Sequence, residues 1–259
     1  MSGARWRFTT IAHEGRSLLG PVSDATADAM LARLPEHGLT RVLDVGCGKG
    51  ELLVRALERC GGTGVGVEPN PSFAAEARAR ADRLLGPGRA RIDEAEFDAA
   101  RLAGERFPLV ICTGSLHAFG DWAAALRGVA ALVAPSGYAL LGPSYWKREP
   151  APKYLEVIGA RADELTPLRE TLATAAAGGW SVVAVHESTP AEWDGYELRY
   201  AANVRAWCAA HAADPDSRGF LERITRWSAA YGRWGRDCLG YALVLLMPPG
   251  AHSAGKRQH

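Results

Sequence analysis

The stretch from residue 42 to residue 50, Val-Leu-Asp-Val-Gly-Cys-Gly-Lys-Gly, constrains the fold of this chain more than any other segment. Its first residues favour a β-strand, and its glycines lack the Cβ that would block a sharp turn or hold a ligand away from the backbone. The helical pattern that follows, from about Glu51 to Cys60, directs its free N-terminal amides toward the same turn. This strand, turn and helix predict a site for a nucleotide-like ligand.

The spacing of these glycines distinguishes three kinds of glycine-rich loop. A phosphate-binding Walker loop needs Ser or Thr after Gly-Lys, but here a glycine follows Lys49. A dinucleotide fingerprint needs a glycine at its sixth position, where this chain has Glu51. The remaining pattern is Asp-x-Gly-x-Gly-x-Gly, carried by Asp44, Gly46, Gly48 and Gly50. It resembles the cofactor loop of class I S-adenosylmethionine (SAM) dependent methyltransferases.

The resemblance implies SAM as the cofactor and suggests its contacts by position. Glu68 ends the second predicted strand, where a carboxylate can accept both hydroxyls of a ribose. In the family an acid after the third strand meets the adenine amino group, and Asp98 is favoured over Asp93 because Ala99 and a turn follow it. The expected cofactor contacts are Asp44, Gly46, Cys47, Gly48, Gly50, Glu68, Pro69, Asn70, Asp98, Ala99, Thr113, Gly114 and Ser115.

Strand and helix patterns alternate between residues 41 and 143, which predicts a parallel sheet covered on both faces. The predicted strands lie near 41–46, 63–68, 90–96, 108–113 and 137–143. Two later strands, near 180–186 and 239–247, would form an antiparallel hairpin at the sheet edge. The resemblance thus implies an α/β fold with a doubly wound, mostly parallel, seven-stranded Rossmann-like sheet.

The 259 residues are expected to form a single methyltransferase domain. The sheet core is assigned to 41–187 and 238–248. Residues 1–40 are assigned to an N-terminal lid and helix, in which 8–20 would fold over the cofactor as in many small-molecule methyltransferases.

Residues 188–237 are longer than a plain connection and are predicted to be a helical insertion between the last two strands. Apolar and aromatic residues repeat there at three and four positions, which predicts two amphipathic helices: Trp193, Tyr196, Tyr200, Val204 and Trp207, then Phe220, Ile224, Trp227, Tyr231 and Trp234. Such stripes are more often core than binding site. The candidate substrate contacts are Trp193, Tyr196 and Trp234 near the helix ends, together with Tyr145 and Trp146 at the expected pocket mouth.

Two histidines are candidate catalytic groups. His117 follows the fourth strand, in the loop that lies nearest the sulfonium methyl in this family, and a neutral imidazole can accept a proton near pH 7. His13 lies in the expected lid. The alternative is catalysis by proximity alone, because methyl transfer needs chiefly an in-line arrangement of nucleophile, methyl and sulfur.

Charge and cysteine content limit the function further. Lys and Arg number 30 against 29 Asp and Glu, so no overall charge attracts nucleic acid or an anionic membrane. The five cysteines are odd in number and lack metal-ligand spacing, which favours a reduced, cytoplasmic protein without a metal. No apolar run is long enough to cross a bilayer.

We therefore expect methyl transfer to an oxygen or nitrogen of a small molecule, such as a specialised metabolite. The alternatives are methylation of protein or RNA, which the even charge balance disfavours, and a non-catalytic SAM-binding regulatory protein.

Overall fold

The computed structural model describes residues 2–250, with side chains from residue 5, and within them a single mostly parallel sheet of eight strands. The strands are β1 (Arg41–Val45), β2 (Thr63–Val67), β3 (Ala90–Asp93), β4 (Phe107–Thr113), β5 (Val133–Gly142), β6 (Ser144–Trp146), β7 (Ser181–Glu187) and β8 (Leu239–Met247). The first five lie parallel in the order β3-β2-β1-β4-β5, and β8 joins β5 and β7 in antiparallel pairs. The predicted doubly wound α/β fold is confirmed.

The eighth strand, β6, continues β5 along the same side of β8. Leu141 is paired with Val244 and Ser144 with Tyr241, so the register runs without a shift across Pro143. Proline has no N–H for the ladder, but the Pro143 carbonyl accepts a hydrogen bond from the Ala242 amide at 3.0 Å. The seven strands expected from the sequence are therefore present, and one of them is lengthened beyond a proline.

The helices are α1 (Ser2–Ala12), α2 (Asp24–Leu31), α3 (Glu51–Cys60), α4 (Pro71–Leu85), α5 (Trp122–Ala130), α6 (Pro152–Ile158), α7 (Leu168–Ala177), α8 (Pro190–Ala210), α9 (Ser217–Ala230) and the short α10 (Arg236–Cys238). A π-helical turn, Tyr231–Gly235, joins α9 to α10. The segment between β6 and β7 forms two separate helices, α6 and α7. Pro167 explains the division, because proline disfavours helical backbone at the residue before it. Among residues 2–250 no helix is long and apolar enough to cross a membrane.

The sheet is buried on both faces because alternate residues of each strand point to opposite sides. Val42 and Leu109 belong to an apolar cluster with residues of α2, α3 and α4. Their neighbours Leu43 and Val110 belong to a second cluster with residues of α5 and α7. This two-sided packing explains the nearly continuous apolar runs of the central strands.

Three helices form a separate packing unit, which we call the cap: α1, α8 and α9. Phe8 and Ile11 of α1 pack with Val204 of α8 and Ile224 of α9. The two insertion helices were predicted, but α1 was not, and it takes in the first residues of the expected lid. The rest of that lid, residues 13–20, belongs to an irregular segment, residues 13–22, that we call the strap.

Candidate functional site

The glycine loop between β1 and α3 has its three glycines in the left-handed region, with φ values of 68° at Gly46, 54° at Gly48 and 75° at Gly50. A Cβ added to Gly46 would lie 2.0 Å from Oγ of Ser115, and a Cβ on Gly50 would lie 3.0 Å from Cβ of Ala77 in α4. Gly46 therefore allows the loop after β4 to approach, and Gly50 allows α4 to pack closely. Both the backbone angles and the space exclude larger residues.

The Glu68 carboxylate connects the glycine loop to the end of β2. Its Oε2 accepts a hydrogen bond from the Gly48 amide at 2.9 Å, and its Oε1 accepts one from the Asn70 amide at 2.8 Å. Burial raises the pKa of Glu68, and these two hydrogen bonds oppose the shift. Asn70 in turn caps α4 by accepting from the Ser72 amide at 3.0 Å. Glu68, Pro69 and Asn70 thus form one ordered turn beside the loop.

Asp44 is the last acidic group before the loop, and its side chain is almost completely buried. Burial, and secondarily the charge of Glu68, raises the pKa of Asp44 to about 8. The carboxyl is therefore largely protonated at pH 7 and can donate a hydrogen bond as well as accept one.

A cavity of about 290 Å³ opens between the glycine loop and the cap. It lies at the carboxyl ends of β1 and β4, where ligands bind in open parallel sheets. The sheet side is lined by Asp44, Gly46, Cys47, Gly48, Thr113 and Gly114, and the opposite side by strap residues 17–22 and by Trp193, Tyr196, Glu197 and Trp227. Further lining comes from Glu51, Leu52, Ser144, Leu239, Tyr241 and Leu243.

The strap covers the glycine loop directly. A Cβ on Gly48 would lie 2.6 Å from Cδ1 of Leu19, so this leucine occupies the space above the loop backbone. The strap is also attached to the loop at its other end, because Lys49 donates a hydrogen bond from Nζ to the His13 carbonyl at 3.0 Å. This part of the expected lid, residues 8–20, thus lies beside the glycine loop, and its closure over a cofactor stays a prediction.

The candidate adenine-side acids lie beyond β3, which ends at Asp93 rather than at residue 96. Asp98 and Ala99 are exposed, and Asp98 accepts a hydrogen bond from the Ala100 amide at 3.0 Å. Asp93 is half-buried and forms an ion pair with Arg91 at 3.1 Å. Neither acid lines the cavity, so the preference for Asp98 stays a prediction.

The two candidate catalytic histidines have different surroundings. His117 is exposed in the turn after β4 and does not line the cavity. His13 is buried, and its Nδ1 donates to the Thr9 carbonyl at 2.9 Å, so its Nε2 is left to accept from the Tyr196 hydroxyl at 3.1 Å. Burial lowers the pKa of His13 to about 4. The ring is therefore neutral at pH 7 and orients Tyr196, which does line the cavity.

Three residues predicted as substrate contacts, Tyr145, Trp146 and Trp234, do not line this cavity. Tyr145 is buried and donates to Oε2 of Glu187 at 2.6 Å, and Trp146 is buried and donates from Nε1 to the Ala162 carbonyl at 3.0 Å. Trp234 packs near Tyr154, with ring centres 6.5 Å apart. Strand alternation at β6 explains why Ser144 lines the cavity and its neighbour Tyr145 does not.

Glu197 is a cavity residue that the sequence interpretation missed. It is 6% exposed and accepts a hydrogen bond from Nε1 of Trp227 at 2.8 Å. Burial raises the pKa of Glu197 to about 7. A signal was present in the sequence, because Glu197 lies four positions after Trp193 and so on the same face of α8, where an acid interrupts an apolar stripe. Trp193 itself is buried, and its Nε1 has no hydrogen-bond partner within residues 2–250.

Comparison with known proteins supports the interpretation of the glycine loop. A family model described as a methyltransferase domain matches residues 42–137. The chain is 27% identical to the uncharacterised protein YjhP of Escherichia coli over 93% of its length and 98% of the relative. It is 35% identical to a ubiquinone biosynthesis O-methyltransferase from a Methylobacterium species, but over only 48% of this chain and 44% of that one.

A solved structure matches nearly the whole chain. It is a SAM-dependent methyltransferase from Geobacter sulfurreducens in complex with S-adenosyl-L-homocysteine (SAH), with 25% identity and a TM-score of 0.86. The match covers 93% of this chain and 98% of that one, so it includes the cap as well as the sheet. No group of side chains suited to bind a metal occurs within residues 2–250. The fold and the glycine loop agree with these matches: residues 42–137 match a methyltransferase domain, and nearly the whole chain is similar to a SAM-dependent methyltransferase solved with SAH.

Proposed function

We propose that the protein transfers the methyl group of SAM to a nitrogen or oxygen atom of a small molecule bound in the cavity. One observation carries this proposal: the glycine loop and the aromatic side chains of the cap line the same cavity. A cofactor on the loop and an acceptor against the cap would therefore be neighbours, and methyl transfer depends on such positioning.

The sheet side of the cavity fits a nucleoside cofactor. Gly46 and Gly48 carry no side chain of their own, and Glu68 offers a buried carboxylate in the turn beside the loop. The solved Geobacter sulfurreducens structure, at 25% identity, holds SAH, the product of SAM after methyl transfer. We infer that Glu68 accepts hydrogen bonds from the ribose, that the glycine loop with Thr113 and Gly114 holds the methionine end, and that Asp98 meets the adenine.

When bound, SAM supplies an electrophilic methyl group on a cationic sulfur. The protein's own contribution is to hold the acceptor in line with that methyl and to exclude water. The strap and the cap serve this purpose because Leu18, Leu19 and Trp193 give the cavity an apolar wall.

The test has two parts. Calorimetry should show SAH binding to the protein without competition from NAD, and preferential NAD binding would refute the cofactor assignment. Release of SAH from SAM should then be measured with a panel of metabolites, and separately with a protein extract and with RNA. Turnover with a small molecule supports the proposal, whereas turnover only with protein or RNA, or tight SAH binding without any turnover, contradicts it.

A further inference from the structure

We propose that the methyl acceptor is a protonated amine and that Glu197 binds it and receives its proton. This inference rests on the proposed function and names the substrate class of the same cavity. Three observations support it: the signs of the charges that line the cavity, its aromatic lining, and the lack of a salt bridge to Glu197 among residues 2–250.

Apart from the tyrosines and the Cys47 thiol, the ionisable side chains that line the cavity are carboxyl groups. They are Asp44, Glu51 and Glu197, and within residues 2–250 the lining includes no Lys, Arg or His. Glu51 already forms ion pairs with Arg55 at 2.7 Å and Arg80 at 2.5 Å, and Asp44 is buried on the sheet side of the cavity, where burial raises its pKa to about 8. Glu197 is thus the carboxyl group still able to balance a positive charge on a ligand, whereas an anionic ligand would find no basic partner.

Aromatic side chains surround this carboxyl group. Trp193, Tyr196, Trp227 and Tyr241 line the cavity together with Glu197. Aromatic rings attract cations through their negative faces, and the attraction grows when water is excluded. A carboxylate within an aromatic lining is therefore suited to an ammonium group, including one that carries alkyl substituents.

The surroundings of Glu197 also suit proton transfer. Glu197 interacts electrostatically with four tyrosines. They are Tyr196 and Tyr200 on its own helix, Tyr154 on α6 and Tyr231 after α9. Burial raises the pKa of each of these tyrosines, so all of them are neutral near pH 7. Glu197 can then change its charge without an opposing ionised neighbour, and a pKa near the working pH is the best value for a general base.

The reaction balances with the groups present. The ammonium proton moves to a carboxylate oxygen of Glu197, which leaves a lone pair on the nitrogen. That lone pair forms the new N–C bond while the bond from sulfur to the methyl carbon breaks, and its electron pair stays on sulfur. The products are a methylated ammonium ion and neutral SAH, and Glu197 returns its proton to solvent.

The first experiment compares primary and secondary amines with alcohols of the same skeleton, for example benzylamine with benzyl alcohol. Calorimetry with SAH at saturation should show that amines bind about tenfold more tightly than the paired alcohols. Glu197→Gln should remove this preference. The matched control is Asp194→Asn, which removes an acid from the same helix but outside the cavity, and it should retain the preference.

The second experiment measures SAH release with the same pairs as a function of pH. The rate with amines should fall as the pH drops below about 7, and Glu197→Gln should lose this limb together with most of the rate. Alcohols bound as tightly as amines across the panel, turnover with alcohols alone, or a preference that survives Glu197→Gln would overturn the inference. If the unaltered protein does not bind SAH, the proposed function itself is refuted.

Discussion

The two walls of the cavity are built from different parts of the chain. The wall on the sheet side is formed mainly by backbone. It consists of glycines with positive φ and of amides that donate hydrogen bonds to the Glu68 carboxylate. On the cap side they come from side chains on a helical hairpin, with Trp193, Tyr196 and Glu197 on α8 and Trp227 on α9.

The two walls differ in how freely their residues can be replaced. A backbone wall requires particular glycines at particular spacings, so it commits the protein to one kind of ligand. A side-chain wall can change residue by residue while its helices stay folded, so it can set specificity on a shared fold. Changes on the sheet side should therefore affect cofactor affinity, and changes on the cap side should affect rate and acceptor choice.

The largest effect is expected for Gly46→Val, which places a branched side chain against Ser115. SAH affinity should fall by more than about 100-fold, because strain and a steric clash coincide at the loop. Gly88→Val is the matched control, since Gly88 also has a positive φ of 80° but nothing within 4 Å of an added Cβ. Calorimetry that finds equal SAH affinity in the two variants would show that the loop does not hold the cofactor.

Glu68→Ala should have the next largest effect. The change removes a charged acceptor from the Gly48 and Asn70 amides and from the expected ribose hydroxyls, at about 1.5–3 kcal/mol for each charged hydrogen bond. SAH affinity should fall by about 100-fold, while the exposed Glu94→Ala should leave it unchanged. If Glu68→Ala binds SAH as tightly as the parent protein, the ribose assignment is wrong.

Trp193→Ala and Tyr196→Ala should affect the rate and not the cofactor affinity. The rate should fall about tenfold or more, with little change in SAH affinity. Leu198→Ala serves as control, because Leu198 is on the same helix but 71% exposed. Rates are to be measured by SAH release and stability by thermal unfolding. If these variants lower only the melting temperature and leave the rate unchanged, the aromatics are core residues and not cavity contacts.

The effect expected for His13, which the fold keeps neutral, is on stability rather than on affinity or rate. Its pKa is about 4 in the folded protein against a reference value of 6.5, so between these pH values the unfolded chain binds a proton that the folded one does not. Stability should therefore rise with pH through this window, by at most about 3 kcal/mol. Urea unfolding at pH 5 and pH 7 should show a smaller difference for His13→Asn than for the parent. The exposed His117→Asn is the control, and an identical response from both variants would contradict this assignment.

The sequence allowed the sheet and the glycine loop to be predicted because their residues act through local backbone geometry. The spacing of Gly46, Gly48 and Gly50 required a turn, and Glu68 lay one βαβ unit further on. By contrast, α1 was missed because Thr9, Thr10 and Ile11 are β-branched and favour helix weakly, so tertiary packing against the other cap helices decides its structure.

Cap-side contacts were harder to predict because they depend on which way each side chain faces. The register that continues β5 into β6 turns Ser144 and not Tyr145 toward the cavity, and neighbouring residues alone do not reveal that register. Glu197 was missed because a charged residue on an amphipathic helix is usually assigned to the solvent side.

The position of Leu19 has a consequence for the speed of the whole catalytic cycle. This side chain rests above Gly48, on a strap whose start is joined to the loop through Lys49 and the His13 carbonyl. A ligand that contacts the Gly48 backbone has to displace this side chain, so we expect each exchange of spent for fresh cofactor to depend on movement of Leu19 or of the strap that carries it. Loop motions of this kind take microseconds to milliseconds and can limit turnover when chemistry is fast. A smaller residue at position 19 would then accelerate product release.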